Sequence, residues 1–303
     1  MRRSLLLAAL SLAAAAADCG FGGERVSPAL CRCRPEWRGQ NCTQLSLLPA
    51  PNPFAFSNLT APFSSWGGSV LPAPRGGFVM AVAEMALACG LDSWESNSEI
   101  TIATAPTQHG PFTPRAVLLA PFAHNPTLHR LLNGSLIVAH IGQGRAERPL
   151  ITNCSGGVTP PASGAPPPPP APALPALGVR GTPLPPPNFL LLASGDPSDG
   201  SPWVEVNSAG GAWAANNPAL WIDPADGSAL LVYKVGCPCP PPCAFCRQFG
   251  VATAGAWGGA FTDQGLIPVY GEDAYVWRDP AGVANGGYHM LFQGGSYAPS
   301  YPQ

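Results

Sequence analysis

Residues 216–233 read Asn216-Asn217-Pro218-Ala-Leu-Trp-Ile-Asp-Pro-Ala-Asp-Gly-Ser-Ala-Leu-Leu-Val-Tyr233. A polar pair opens the stretch; a short apolar run, a turn and a second apolar strand follow. The same order runs from His124-Asn125-Pro126 through Ala139 and from Glu272-Asp273-Ala274 through Phe292. Ahead of each copy stands a second recurring piece: small residues, a polar turn, then glycine and an aromatic. Its copies are Ala103-Thr-Ala-Pro-Thr-Gln-His-Gly-Pro-Phe112, Leu192-Ala-Ser-Gly-Asp-Pro-Ser-Asp-Gly-Ser-Pro-Trp203 and Ala252-Thr-Ala-Gly-Ala-Trp-Gly-Gly-Ala-Phe261. Offsets from Ala103 to Asn125, Leu192 to Asn217 and Ala252 to Asp273 are 22, 25 and 21 residues. Near-equal offsets in three places mark a repeat architecture. Helical periodicity is weak, while Ser228–Val235 and Tyr288–Phe292 read as buried strands. Repeats of a few short antiparallel strands predict an all-β propeller of about four visible blades. A β-sandwich, with the polar pairs as plain turns, is the competing fold.

Composition agrees. The 303 residues hold 39 prolines and 35 glycines, each about twice its usual share. Both break helix interiors, which argues against bundles and coiled coils. Charged residues are 11% of the chain and the net charge is −2. Lys234 is the only lysine and the arginines are scattered. No basic face is offered to nucleic acid, so that partner is not expected.

Arg2 and Arg3 precede the apolar run Leu5–Ala17, which ends in small residues before Asp18. That layout predicts a secretory signal over 1–17, too short to span a bilayer. No later run is long enough to span one, so no membrane span is expected. Ten cysteines and the acceptor motifs at Asn41, Asn58, Asn133 and Asn153 fit a secreted glycoprotein. Asn41 sits beside Cys42 and is set aside.

Residues 18–43 form a small cysteine module. Cys31, Cys33 and Cys42 follow the spacing Cys-x-Cys-x8-Cys, with Gly39 at a turn. A hairpin this small owns no core, so covalent links must replace burial. The segment resembles the C-terminal half of an EGF-like domain. Cys19, Cys31, Cys33 and Cys42 allow three pairings. Cys19–Cys31 with Cys33–Cys42 is preferred, the second bridge following the resemblance. Cys237, Cys239, Cys243 and Cys246 suit two local disulfides better than zinc, which usually takes paired knuckles. Cys89 and Cys154 remain to pair across neighbouring blades. Neither a metal nor a cofactor is expected.

Trp66-Gly-Gly-Ser69, Cys89-Gly-Leu-Asp-Ser-Trp94-Glu-Ser-Asn97-Ser98, His124-Asn-Pro126, Glu272-Asp-Ala-Tyr-Val-Trp-Arg-Asp279 and Tyr288-His-Met-Leu-Phe292 form an ordered set. Together they resemble the five-bladed propeller glycosidases, most closely proteins similar to glycoside hydrolase family 43. The resemblance covers about residues 60–303, excluding the proline stretch. It implies five blades and a carbohydrate ligand in an axial pocket. The chain ends at Gln303, soon after the fourth copy opens, which predicts a C-terminally incomplete copy. Residues 156–187 are proline-rich and are expected to be a disordered insertion without a packed core.

Glycoside cleavage uses two carboxyl groups flanking the bond. In the resembled family, acids stand at the starts of several inner strands. Here only Glu272-Asp273 is acidic. Glu272 aligns with that family's general acid, Asp273 stands beside it to orient it, and His124 or His289 is a substitute acid or base. Trp66, Asn125, Asn217, His289 and Glu84 are the substrate-binding candidates, with Trp94 a second stacking surface. The first blade lacks the base aspartate, so the catalytic set is incomplete. The sequence leaves three readings: a secreted glycosidase, a secreted carbohydrate binder, and a non-catalytic extracellular scaffold. Oligomeric state is not legible.

Overall fold

The computed structural model describes residues 19–20, 22–28, 30–47, 49, 56, 64–142, 144, 149–154, 178–184, 186–206, 216–235, 248–278 and 287–294. The signal-like residues 1–17, Asn58 and the cysteine cluster 237–246 lie outside them. The chain divides into two compact units, 1–51 with 279–287, and 52–278 with 288–303.

In the first unit, β1 (Gly23–Ser27) pairs antiparallel with β2 (Leu30–Cys33), and β3 (Trp37–Arg38) pairs with β4 (Gln44–Leu45). Disulfides join Cys19 to Cys31 and Cys33 to Cys42. Cys42 is fully buried. A side chain on Gly23 would collide with the Cys42 sulfur, so the bridge stands where a larger module would place a core.

The second unit is built from antiparallel sheets. β5 (Ser65–Pro72), β6 (Phe78–Met85), β7 (Ser98–Ala105) and β8 (Thr113–Leu119) make the first, in chain order. Between β6 and β7 lies the short helix α1 (Trp94–Asn97). β9 (Ala123–Arg130) and β10 (Leu136–Gly142) open the second sheet. β11 (Pro183–Leu184) runs aside to the third, and β12 (Asn188–Leu192) and β13 (Val204–Val206) complete the second. The third sheet is β14 (Asn216–Ile222), β15 (Ala229–Val235), β16 (Gln248–Ala254) and β17 (Phe261–Tyr270), with β11 on its outer edge. β18 (Glu272–Arg278) and β19 (Tyr288–Gln293) form a two-stranded fourth.

The sheets pack face to face in sequence, as propeller blades do. Val79, Ala81 and Ile100 of the first meet Leu128, Val138 and Leu190 of the second. Ile137, Ala139 and Phe189 turn the other way, onto Leu220, Leu231 and Tyr233 of the third. Ala219, Val232 and Phe249 then meet Ala274 and Val276 of the fourth. Successive strand side chains point to opposite faces, so a strand covered on both faces is apolar at every position. That is why Leu136–Ala139 and Ala229–Tyr233 read as unbroken apolar runs. Each fully buried Leu or Ile contributes about 1.5–3 kcal/mol.

The sequence repeat straddles the blades. Ala103, Leu192 and Ala252 lie on the third strands, β7, β12 and β16; the polar pairs open the first strand of the next sheet. One expectation is corrected. A disordered insertion running to residue 187 would hold no packed core, yet Leu184 is 1% exposed within the core between the second and third sheets. Asp263 is the reason. Its Oδ2 accepts the Gly178 N–H at 2.7 Å and the Tyr233 hydroxyl at 2.6 Å, and its backbone exchanges hydrogen bonds with Gly181 and Thr182. The chain is therefore fastened to the third sheet from Gly178 onward.

Candidate functional site

All four inner strands begin with the same irregularity. Between Trp66 and Ser69, His124 and Thr127, Asn216 and Ala219, and Glu272 and Tyr275, three steps on the inner strand oppose two on its neighbour. This is a β-bulge, which bends the strand and re-aims a side chain. The second residue of each bulge has positive φ: Gly67 at 62°, Asn125 at 47°, Asn217 at 54° and Asp273 at 51°. Gly, Asn and Asp are the residues that enter this left-handed region most readily. The polar pairs are thus bulge formers first, and their chemistry follows from where the bulge points them.

Three of these side chains converge. Asp273 Oδ1 accepts hydrogen bonds from Asn125 Nδ2 at 3.0 Å and Asn217 Nδ2 at 2.7 Å. Its Oδ2 accepts one from Trp66 Nε1 at 3.0 Å. All four inner-strand starts therefore meet at one carboxylate. Burial, and secondly the Glu272 charge, push the Asp273 carboxyl above the usual range, against the hydrogen bonds from Trp66 and Asn125 and the Lys234 charge.

The residues just before the bulges form a second layer. Glu272 Oε1 lies 3.0 Å from Lys234 Nζ, an ion pair whose side chains are 23% and 15% exposed. His124 is buried, with Trp94 at 5.2 Å between ring centroids. Ser98 Oγ donates to the Ala123 carbonyl at 2.8 Å, so its lone pair takes the proton of His124 Nδ1 at 2.6 Å. The ring is thereby held as the Nδ1–H tautomer, with the Nε2 lone pair as its open function. Burial and then the Lys234 charge lower its pKa to about 4, so the imidazole is neutral at pH 7. A neutral ring in this tautomer accepts a hydrogen bond; it does not supply an acid's proton.

Trp94 owes its place to a clamp. A disulfide joins Cys89 to Cys154. Asn97 Nδ2 donates to the Ile151 carbonyl at 2.9 Å, and the Ile151 N–H donates to Asn97 Oδ1 at 3.1 Å. Together they hold residues 151–154 against the connection that carries α1.

The remaining candidates lie apart. His289 stacks on Trp277 at 5.2 Å and pairs with it across β18 and β19. It stands four residues along β19 from Gln293, the partner of Glu272, roughly 13 Å down the strand. The expectation that His289 stands with the other candidates at the strand starts is corrected: the strand's length carries it away from the bulges. Glu84 pairs with Ser65 beside the first bulge, but its Oε2 accepts the Thr101 hydroxyl at 3.1 Å. Thr101 and Glu84 project from the face of the first sheet opposite its contact with the second. Burial raises the Glu84 carboxyl, and Glu99, opposite it across β6 and β7, is raised by burial and then by Glu84.

Lys234, Ser98 and Asn97 were not selected from sequence. The signal for Lys234 was present: the chain's single lysine closes an otherwise apolar buried strand. Two clefts, of about 240 and 950 Å³, lie at the opposite ends of the strands. They are lined by turn residues such as Asn133 and Asp223, or Arg75 and Asp196, and share no residue with the bulges. Among the described residues no cluster of His, Cys, Asp and Glu could hold a metal ion, and no helix is long and apolar enough to cross a membrane.

No family model and no curated protein matches the chain. Solved structures do. A β-1,3-galactosidase of glycoside hydrolase family 43 is 12% identical over 72% of this chain and 37% of its own, with a TM-score of 0.41. A family 43 β-xylosidase/α-arabinofuranosidase from a compost microbial metagenome is 15% identical over 76% of this chain and 65% of its own, at 0.44. An exo-β-1,3-galactanase from Phanerochaete chrysosporium, solved with β-1,3-galactotriose, is 11% identical over 74% and 45%, at 0.40. The chain spans less than two thirds of each of these proteins.

Proposed function

We propose that this protein is a carbohydrate-binding propeller that holds a sugar at the bulged ends of its inner strands without cleaving it. The observation that carries the reading is the state of the two carboxylates there. Asp273 receives three hydrogen bonds from neighbouring blades, and Glu272 is paired with Lys234. Both serve the architecture, whereas hydrolysis needs one carboxyl to donate a proton and another to act as base or nucleophile. The set offered instead suits recognition. An indole stands beside a neutral imidazole acceptor, with an ammonium and two amides nearby, and sugars are held by aromatic faces together with a few placed polar groups. The resemblance of the ordered motifs to propeller glycosidases supports the ligand class. The signal-like N-terminus, the three disulfides among the described residues and the exposed acceptors Asn133 and Asn153 support an oxidising, extracellular setting, with residues 18–43 as an EGF-like staple.

The test is a glycan array followed by calorimetric titration, with reducing-sugar release measured in parallel. Wild type and Glu272→Gln are expected to bind the same glycan within a few-fold, because Gln still accepts the Lys234 hydrogen bond. Neither is expected to release sugar. Release that disappears in Glu272→Gln makes the protein a hydrolase and overturns the reading. Failure to bind any glycan removes the ligand class.

A further inference from the structure

The turn between β9 and β10 carries the acceptor motif Asn133-Gly134-Ser135. Gly134 takes φ 86°, and its N–H closes the turn onto the Leu131 carbonyl at 2.9 Å. Asn133 is exposed, and its Oδ1 accepts the Ser135 N–H at 3.1 Å. A flipped amide would set donor against donor, so Nδ2 is the atom left uncommitted. Of the acceptor motifs among the described residues, this one alone has no disulfide cysteine beside it. Asn41 precedes Cys42 and Asn153 precedes Cys154. Asn133 also lines the cleft of about 240 Å³ between the turns of the second and third sheets. The charged groups of that cleft are committed elsewhere. Arg130 donates to the carbonyls of Pro72, Gly134 and Gly195, and Asp223 pairs with Arg278 at 2.8 Å. The rest of the lining is largely apolar: Leu131, Leu132, Ile222, Pro224 and Trp257. Leu132 is 66% exposed, an apolar side chain left in water immediately before the acceptor.

We propose that Asn133 is N-glycosylated and that the first N-acetylglucosamine of the glycan seats in this cleft, its ring face and acetamido methyl against Leu132 and Trp257. The proposal rests on the extracellular setting above and is independent of any sugar held at the bulges. In the transfer, Asn133 Nδ2 forms a C–N bond to the anomeric carbon of an oligosaccharide carried on a lipid diphosphate. The anomeric C–O bond breaks, the lipid diphosphate leaves with its electron pair, and the amide nitrogen gives up one proton to solvent. The motif needs the Ser135 hydroxyl. In the folded chain Ser135 is 4% exposed and that hydroxyl donates to the Ala193 carbonyl at 3.0 Å. Attachment therefore precedes the docking of this turn on the connection between β12 and β13. Once attached, the sugar is tethered at the cleft, so its contacts cost little further freedom. The cleft is smaller than the roughly 300–1,000 Å³ of pockets that enclose a whole drug-sized ligand, so it takes one ring and leaves the rest of the glycan in water. An indole and aliphatic side chains match the C–H face of that ring.

The full chain is produced in secreting cells that make only high-mannose glycans, then trimmed with an endoglycosidase that leaves one N-acetylglucosamine. Peptide mass mapping is expected to find that sugar on Asn133. Asn133→Asp removes the sugar and keeps an Oδ1 acceptor for the Ser135 N–H. Trimmed wild type is expected to unfold about 3 °C above Asn133→Asp. In a Leu132→Ser background the same gap is expected to fall by about half or more, because part of the seat is gone. With the acetamido methyl isotope-labelled, a nuclear Overhauser contact to the Trp257 indole is expected. An unmodified Asn133 beside a modified Asn58 or Asn153 overturns the modification. A modified Asn133 that lacks either the stability gap or the Overhauser contact overturns the seat. No glycan at any acceptor removes the extracellular setting and the proposal with it, whereas failure of free glycans to bind on an array touches the carbohydrate reading alone. Should the variants fail to fold, the Overhauser contact in trimmed wild type decides: its presence supports the seat and its absence overturns it.

Discussion

Asp273 gathers hydrogen bonds from three other strands, so its charge does structural work before any ligand arrives. Asparagine is nearly the same shape but replaces one acceptor oxygen with a donor. Whichever way the amide turns, it then faces at least one N–H of Trp66, Asn125 or Asn217. Asp273→Asn is expected to cost about 2 kcal/mol in urea unfolding, in the range for removing a partly buried charged hydrogen-bond acceptor. A loss below about 0.5 kcal/mol would show that the convergence is incidental. The residue types at this ring were legible in the sequence as polar pairs at strand starts. The acceptor role of Asp273 was not, because Trp66 lies 207 residues from it along the chain and Asn125 148. Glu272, picked out as an acid, meets Lys234 only because the fourth sheet packs against the third.

The connection from β6 to β7, built of short helical turns, carries Trp94. Its geometry depends on the Cys89–Cys154 bridge, which closes a span of 65 residues. A cross-link over a span of that size is worth about 2–4 kcal/mol, largely by restricting the unfolded chain. The double variant Cys89→Ser/Cys154→Ser is expected to lose that much in denaturant unfolding. It is also expected to loosen Trp94 from His124, read as a change in tryptophan emission at low denaturant. Unchanged stability would mean that the Asn97 hydrogen bonds to Ile151 hold the segment alone. The bridge could be proposed from the sequence by elimination among ten cysteines. What it positions could not, since no local pattern ties residue 154 to an indole 60 residues earlier.

Three histidines set the response of the whole molecule to acid. His124, His129 and His140 each have a pKa lowered to about 4, chiefly by burial, and Nε2 of His129 and of His140 is buried without a partner among the described residues. Unfolded, these rings take a proton near pH 6.5. Between about 6.5 and 4 the unfolded chain therefore binds more protons than the folded one, and stability falls as the pH falls. Glu84, Glu99 and Asp273 act with opposite sign, because their raised carboxyls bind protons more readily in the folded state. The histidine shifts are the large ones and set the net direction. Urea unfolding at pH 7 and pH 5 is expected to differ by a few kcal/mol, with the acid sample weaker. A flat profile would count against neutral, buried rings.

Sequence alone determined the fold class, because short apolar strands, turn chemistry and a module whose two halves recur at offsets of 21 to 25 residues are local or periodic properties that need no coordinates. It also marked the residues able to sit at left-handed bulges, since glycine, asparagine and aspartate reveal themselves by type. Only the tertiary structure decided which of them meet, which histidine faces the ring and which lies down its strand, and that one proline-rich stretch ends in the core. Those outcomes depend on sheets that are distant in sequence closing against one another, and on the single alternation of side chains that assigns each residue to one face or the other.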